Sequence, residues 1–581
     1  MCGIVGYVGS KNAPTILVDG LSHLEYRGYD SAGIVFYENN KFNIIKTEGR
    51  ISNLRDAIPF ESPSKVGVGH TRWATHGVPN QVNSHPHKQG KITLVHNGII
   101  ENYTGLKKEL GNYTFNSETD SEVACALIDK LYNELGNMEE VLEKVPSMLK
   151  GSYALGIVVD DEPNKIYAIR HKSPLIIGVG DNENFIASDV PAILNKTKRY
   201  ILLDDFDVVI LSDEIKIKRN GNFIEPIIKE FDWEVDQTSL NGFDHYMLKE
   251  IYEQPDVVRR TIESFDTNEF PEFTSYEKIE IVACGSAYHA GLIGLHLIEN
   301  YTNIEVSIHV ASEYRYKKHN FNRKTLVIII SQSGETADSL ETVRIAKENN
   351  IDTLGIVNVY GSSIARDVKY LIYSKAGCEI SVATTKAYLS QITIMGLIAS
   401  KIAKLDKVDS EHLIKTIVSV IEKREIYDNI ANSIYTKEHL FFIGRGIDYY
   451  LGLEGSLKLK EISYIHSEAY PAGELKHGTI SLVTPGTPFI AIVTDESIAE
   501  KTISNIKEVK ARGARVILLI REDLFEKGDY YDEVILIPRL DDIYQPLATV
   551  IPLQLIAYET AKKRNCDIDK PRNLAKSVTV E

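Results

Sequence analysis

The second residue is a cysteine. Once Met1 is removed, Cys2 would carry a thiol and a free α-amino group together. An amine of pKa about 8 can take the proton of a thiol of pKa about 8.5 near neutral pH, directly or through water, so no separate histidine base is needed. On its own, a cysteine at this place reads more readily as a small buried residue at a sheet edge, and it is the motifs around it that turn the reading to chemistry. A second chemical signature lies in Ser331-Gln332-Ser333-Gly334-Glu335-Thr336, which joins the apolar run Leu326 to Ile330 to a helical run from Ala337 to Asn349. Hydroxyls and bare N–H groups at a helix N-terminus form a phosphate cradle that the helix dipole favours. One serine there would be a plain N-cap, but three hydroxyls exceed what a cap needs. A third signature is Glu454, Lys458 and Glu461, spaced i, i+4 and i+7 on one helical face. That spacing suits reacting groups and a solvated salt-bridge stripe equally well.

The elements that must position these groups fall into two textures. Up to about residue 230, short β-branched and aromatic runs such as Gly33 to Tyr37, Lys91 to Val95 and Tyr153 to Val159 alternate with Gly and Asn turns, which predicts a sheet-rich region. From about 278 the order becomes apolar strand, small-residue turn and amphipathic helix, the pattern of a parallel sheet covered by helices. That second region repeats itself. Ile281 to Gly285 matches Phe442 to Gly446 at an offset of 161, and Thr325 to Ile330 matches Thr487 to Ile492 at 162. Leu354 to Val357 matches Val516 to Leu519, again at 162. Two α/β copies are therefore expected, with sites where loops leave the carboxyl ends of the strands. The second copy's loop, Val493-Thr494-Asp495-Glu496, is acidic, so only the first copy should hold a phosphate. Residues 240–265, with His245 to Ile251, read as a polar, helix-leaning connection.

Bulk properties set bounds. At 581 residues, 43% apolar and 25% charged, the chain is an ordinary globular multidomain composition. No apolar run approaches the ~20 residues of a membrane span, and the start lacks a secretory n-region, so a cytoplasmic protein is expected. The net charge of -16, without a basic run, argues against nucleic acid. Five scattered cysteines, at 2, 125, 284, 378 and 566, fit neither a zinc site nor a disulfide framework. No metal and no cofactor are expected.

Around Cys2 stand Tyr26 to Gly33, Gly69-His70-Thr71-Arg72-Trp73-Ala74-Thr75-His76-Gly77, His96-Asn97-Gly98-Ile99-Ile100-Glu101-Asn102 and Glu118-Thr119-Asp120-Ser121-Glu122. In this order they resemble the class II, N-terminal-nucleophile (Ntn) glutamine amidotransferases. The resemblance implies an oxyanion hole from the Asn97 side chain and the Gly98 N–H. It gives Arg72 to the α-carboxylate of glutamine and Asp120 to its α-ammonium, with Thr75, His76 and Gly77 lining the pocket and Trp73 gating ammonia. Cys284-Gly285-Ser286, the 331–336 loop and Val382-Ala383-Thr384-Thr385-Lys386 resemble the sugar isomerase (SIS) domain that binds phosphosugars. With Glu454 to Glu461, Gly473 to Gly478 and the tail Pro571 to Glu581, the whole chain is similar to the isomerising glutamine–fructose-6-phosphate aminotransferases. That resemblance implies Lys576 as Schiff-base former, Glu461 as base between C1 and C2, and His477, supplied by a neighbouring subunit, in ring opening. Ser286, Ser331, Gln332, Ser333, Thr336, Val382, Lys458 and Ala575 would bind the sugar phosphate. Thr479 stands where proline is expected.

The expected fold class is an α+β Ntn sandwich followed by two α/β SIS domains with parallel sheets flanked by helices. The boundaries read as 2–230 for the amidotransferase, 231–270 for a linker, 271–410 and 430–571 for the SIS domains, and 572–581 for a catalytic tail. The partners are L-glutamine, D-fructose 6-phosphate and a second copy of the chain in a homodimer. A phosphoribosyl amidotransferase or an asparagine synthetase would need an acidic diphosphate-binding run or a Ser-Gly-Gly pyrophosphate loop, and neither is present. A non-catalytic sugar-phosphate sensor leaves the residues around Cys2 unexplained.

Overall fold

The computed structural model describes residues 2–59, 61–74, 76–231, 239–321 and 324–579. Of these, residues up to 231, with 239 and 577–579, form one compact unit, and 240–576 form another.

The first unit is built on two antiparallel sheets of eight and seven strands. Strand Gly3–Val8, directly after Cys2, lies inside the first sheet, paired on one side with Val66–Arg72 and on the other with Asn184–Ala187. Strand Ile92–Ile100 of the second sheet pairs with Gly151–Val159. Ile4, Val35 and Val68 of one sheet share a core with Val95, Ala154 and Val158 of the other. Helices Asp120–Leu135 and Met138–Met148 cover the outer face of the second sheet, and helix Ala13–Ser22 packs on the first. Strand Gly151–Val159 is covered on both faces, Tyr153, Leu155, Ile157 and Val159 on one and Ala154 and Val158 on the other, which is why Tyr153 to Val159 reads as a continuous apolar run rather than an alternation. Helix Asp120–Leu135 starts where Thr119 accepts the Glu122 N–H and stops at Gly136 in the left-handed region, φ 66°. The sandwich expected for this region is the one observed.

The second unit holds two parallel five-stranded sheets. The first has the spatial order Glu305–Val310, Lys278–Ala283, Thr325–Ser331, Asp352–Val357, Tyr370–Tyr373. The second repeats it as His466–Pro471, His439–Gly444, Pro488–Val493, Arg515–Arg521, Glu533–Ile537. In both copies the chain order is 2-1-3-4-5, so the duplication read from three strand matches is a duplication of topology. The ladders refine one match. Ile281 faces Ile328 as Phe442 faces Ile490, but Ile328 faces Leu354 while Ile490 faces Ile517, one residue beyond the sequence match.

The stretch read as a linker, 231–270, is no loose tether over its helical part. Helices Tyr246–Tyr252 and Gln254–Phe265 bury Met247, Leu248, Ile251 and Val258 in the same core as both parallel sheets. Residues 232–238 lie outside the described part. Among the described residues no helix is long and apolar enough to cross a membrane.

Candidate active site

In the first unit, the Cys2 thiol is bracketed by the backbone of Trp73, whose N–H donates to Sγ at 3.4 Å and whose carbonyl stands 3.6 Å away. The Asn97 amide, on strand Ile92–Ile100, donates to the Cys2 carbonyl at 3.1 Å. Gly98 follows with φ 126°, and a Cβ there would stand 2.0 Å from the Ser152 carbonyl, so only glycine fits. Arg27, paired with Asp189 at 2.6 Å, donates to the same Cys2 carbonyl. Burial pushes the Cys2 thiol up, against the pull of the Trp73 N–H, Arg72 and Arg27. A thiol so placed rests protonated and needs a nearby base to react.

Arg72 closes strand Val66–Arg72 and donates to the carbonyls of His76, Gly77 and Val78. The carbonyls of residues 76–78 thus gather on the Arg72 guanidinium. Thr75 lies outside the described residues. Asp120 sits buried at the start of its helix and accepts the Ile100 N–H at 2.7 Å. Behind Asn97 lies a feature the motifs did not announce. The rings of His70 and His85 stack at 4.0 Å, with His87 and His96 beside them. Burial holds all four below the ordinary histidine range, so they are neutral packing and hydrogen-bonding groups.

In the second unit, the 331–336 loop leaves strand Thr325–Ser331 beside strand Lys278–Ala283, the topological switch point of the first sheet. The Ser331 hydroxyl takes the Gly334 N–H and meets the Thr336 hydroxyl, both at 3.1 Å, and Gly334 turns with φ 65°. Thr336 occupies the N-cap of helix Ala337–Glu348, and it makes no side-chain cap bond. The Gln332 carbonyl accepts the Asn358 N–H at 3.1 Å. The equivalent place in the second copy is filled by the protein itself. Asp448 accepts the Thr494 and Asp495 N–H groups and the Thr494 hydroxyl, while buried Arg521 gathers Glu496, Asp523 and Asp542.

Helix Ile447–Ser463 carries the carboxylate stripe, and the stripe is buried rather than solvated. Glu454 is fully buried and takes the Ser286 hydroxyl at 2.9 Å, His289 at 2.8 Å and the Lys458 ammonium at 3.5 Å. Lys458 in turn lies 2.6 Å from Glu461. Burial works against the Lys458 charge, yet Glu461 and Glu454 outweigh it and hold the ammonium above its ordinary value. The tail is tied down: Arg572 stacks on Tyr464 at 4.2 Å, and its N–H donates to the Tyr464 hydroxyl. Beyond it, past Ala575, Lys576 Nζ donates to the Glu379 carboxylate and to the Ser381 carbonyl at 2.8 Å. Val382 joins the same wall through its N–H to the Asp569 carbonyl, 2.9 Å. Burial opposes the Glu379 charge, but Lys576 and the N–H and hydroxyl donors of residues 384–387 hold its carboxyl down at about 2. His477 is exposed, at the end of a short 3₁₀ turn, and no contact among the described residues brings it to Lys576 or Glu461.

The profile of the SIS domain matches residues 272–401 and 433–563, and that of a glutamine amidotransferase domain matches 70–195. Over the full length of both chains, the sequence is 46% identical to the isomerising glutamine–fructose-6-phosphate aminotransferase of Caldanaerobacter subterraneus subsp. tengcongensis. It is 47% identical to that of Clostridium tetani, again over all of both chains. The chain belongs to this family. Within the isomerising aminotransferases, a solved C-terminal domain from Francisella tularensis matches with a TM-score of 0.55 and 37% identity, covering 57% of this chain and 99% of that one. Membership makes the chain an enzyme with an amidotransferase module and two SIS modules.

Against the sequence reading, the structure gathers Cys2, Trp73 and Asn97 in one unit, with Arg72 holding the loop of His76 and Gly77. In the other it gathers Ser286 and Lys458 around Glu454, with Glu461 on the far side of Lys458. Missed altogether were Glu379, the counter-charge of Lys576, and the role of Glu454 as a hub. A lysine that must sit buried near the end of a chain needs a buried carboxylate, and Glu379, three residues before Val382, was the nearest one to the quoted motif.

Proposed function

We propose that the chain converts D-fructose 6-phosphate and L-glutamine into D-glucosamine 6-phosphate and glutamate, as a cytoplasmic homodimer that opens the hexosamine pathway. The observation that carries this reading is the buried Lys576 held by Glu379 and Ser381 in a phosphosugar fold whose chain also presents Cys2 beside Asn97. Cys2 Sγ attacks the glutamine amide carbon and ammonia leaves as a thioester forms; water then releases glutamate. Asn97 and the Gly98 N–H receive the developing oxyanion, Arg72 and Asp120 hold the α-carboxylate and α-ammonium, and the 75–77 segment lines the pocket. Trp73, which brackets the thiol, gates the exit of ammonia.

At the sugar site, Ser286, Ser331, Gln332, Ser333 and Thr336 take the phosphate and ring, with Val382 and Ala575 at the sugar hydroxyls. Lys576 loses a proton and forms an imine with the C2 ketone, expelling water. Ammonia then displaces the lysine. Glu461, beside Lys458, takes a proton from C1 and delivers it to C2 while the C1 hydroxyl proton passes to the imine nitrogen, which gives the amino aldose. His477, exposed in its own chain, reaches the partner subunit's sugar and assists ring opening. The test is to follow glutamate and glucosamine 6-phosphate together with and without fructose 6-phosphate. Both products in equal amounts support the reading, whereas glutamate alone in the presence of the sugar phosphate overturns it.

A further inference from the structure

Helix Tyr246–Tyr252, at first sight part of a connection, touches the segment that holds Lys576 through three separate points. Its first N–H groups, of Tyr246 and Met247, both donate to the Asp569 carboxylate at 2.8 Å, and the Asp569 carbonyl receives the Val382 N–H. Just beyond its end, Glu253 pairs with buried Lys386 at 2.6 Å. Between these, Glu250, only 2% exposed, accepts the N–H of Ile380 and that of Ser381, the latter at 3.2 Å. Ile380 and Ser381 are the residues between Glu379 and Val382, and the Ser381 carbonyl is itself a partner of Lys576. The second oxygen of Glu250 is buried without a hydrogen-bond partner among the described residues.

We propose that Glu250 is a positioning residue for the imine-forming lysine: its carboxyl fixes the 379–381 segment so that Glu379 and the Ser381 carbonyl present Lys576 to the sugar ketone. The inference rests on the reading of Lys576 as imine former. It also gives the helix a function: the helix carries a strut of the sugar site, so the stretch between the two modules is chemically part of one of them.

A neutral carboxyl holds the two N–H groups without adding charge beside the lysine. The charged or titratable groups facing Glu250 are Glu379, Lys386 and Lys576, with Tyr246 on its own helix. Lys386 is matched by Glu253 and Lys576 by Glu379. An ionised Glu250 would add a second negative charge beside Lys576 and favour the ammonium, the form that cannot attack a ketone. Burial, with Glu379 close by, pushes the Glu250 carboxyl up to about 8, so the group stays protonated at neutral pH and ionises on the alkaline side.

The experiment uses the full-length enzyme, borohydride-trapped with labelled fructose 6-phosphate from pH 6.5 to 9.5, with kcat and KM for sugar formation measured alongside. Glu250→Ala removes the acceptor for two N–H groups and should lower the trapping rate and kcat ~10- to 100-fold, the range for lost hydrogen bonds that orient a reacting group. Glu250→Gln keeps an acceptor oxygen and cannot ionise; it should recover most of that loss and carry the alkaline limb to higher pH. Glutamine hydrolysis in the other unit serves as the folding control. Label in the wild-type enzyme on a lysine other than Lys576 would sink the imine assignment, and this proposal with it. Label on Lys576, with Glu250→Ala as active as wild type or with Glu250→Gln showing an unshifted pH profile, would overturn the strut alone. Should Glu250→Ala fail to fold, the Glu250→Gln profile decides.

Discussion

Replacing Glu379 by glutamine removes one charge and keeps the shape, and the structure dictates how the new side chain must turn. Glu379 Oε1 accepts the N–H groups of Thr385 and Ala387, both at 3.0 Å, while Oε2 accepts the Thr384 hydroxyl and the Lys576 ammonium. The two N–H groups belong to the start of helix Lys386–Ala403 and cannot move away, so the amide oxygen must stay on their side. The NH₂ group then faces the ammonium, donor against donor. The carboxyl is held at about 2 in the folded protein, against an ordinary value of 4.5. At 1.36 kcal/mol per unit, that difference is worth about 3 kcal/mol to the folded state. Because the folded value is depressed, the stabilisation is fully present above about pH 4.5 and is lost as pH falls toward 2. Urea unfolding followed by far-UV circular dichroism should therefore find Glu379→Gln less stable than wild type by about 3 kcal/mol at both pH 7 and pH 5.5, with the gap narrowing by pH 4. Synthesis of amino sugar should fall at least ~100-fold, the cost of misplacing a reacting group by about an ångström, while glutamine hydrolysis persists. A variant as stable and as active as wild type would refute the reasoning, as would a stability gap that does not respond to acid.

Cys2→Ala should abolish glutamine hydrolysis while fructose 6-phosphate still binds, measured by calorimetry, because thiol and phosphate loop lie in different units. Gly98→Ala should cut glutamine hydrolysis ~100-fold or more with sugar-phosphate binding intact, since its Cβ meets the Ser152 carbonyl and displaces Asn97. Ser333→Asp sets a carboxylate against phosphate and should weaken fructose 6-phosphate binding at least ~10-fold by the same titration, a loss that shrinks as salt is raised. Glu454→Gln weakens the hub that joins Ser286 to Lys458, so it should raise KM for fructose 6-phosphate and lower kcat together, whereas a change in neither would make the hub mere packing.

What could be read from the sequence was what is local or periodic. The two α/β copies were visible because buried parallel strands are short continuous apolar runs, and Ile328 and Ile490 stand in matched frames. The single-residue slip at Ile517 was hidden because such runs align equally well one step apart. The residues around Cys2 were legible because each motif packs its chemistry within a few positions. The partners gathered around Lys576 were not, since Glu250, Glu379 and Lys576 meet across more than a hundred residues of chain and a charged residue's default place is the surface. For the same reason Lys249, Glu250 and Glu253 read as a polar connection, although all three are drawn into buried ion pairs or backbone contacts. The stripe of Glu454, Lys458 and Glu461 was seen, but spacing alone does not tell a solvated face from a buried one.

Transfer of the amide nitrogen joins every role assigned above. The enzyme is incubated with glutamine carrying ¹⁵N at the amide and with fructose 6-phosphate, in a buffer containing unlabelled ammonium, and the sugar product is weighed by mass spectrometry. Glucosamine 6-phosphate should carry ¹⁵N with little dilution by the ammonium in solution. Unlabelled amino sugar, or labelled ammonia released with no amino sugar formed, would contradict a glutamine-fed synthesis at Lys576.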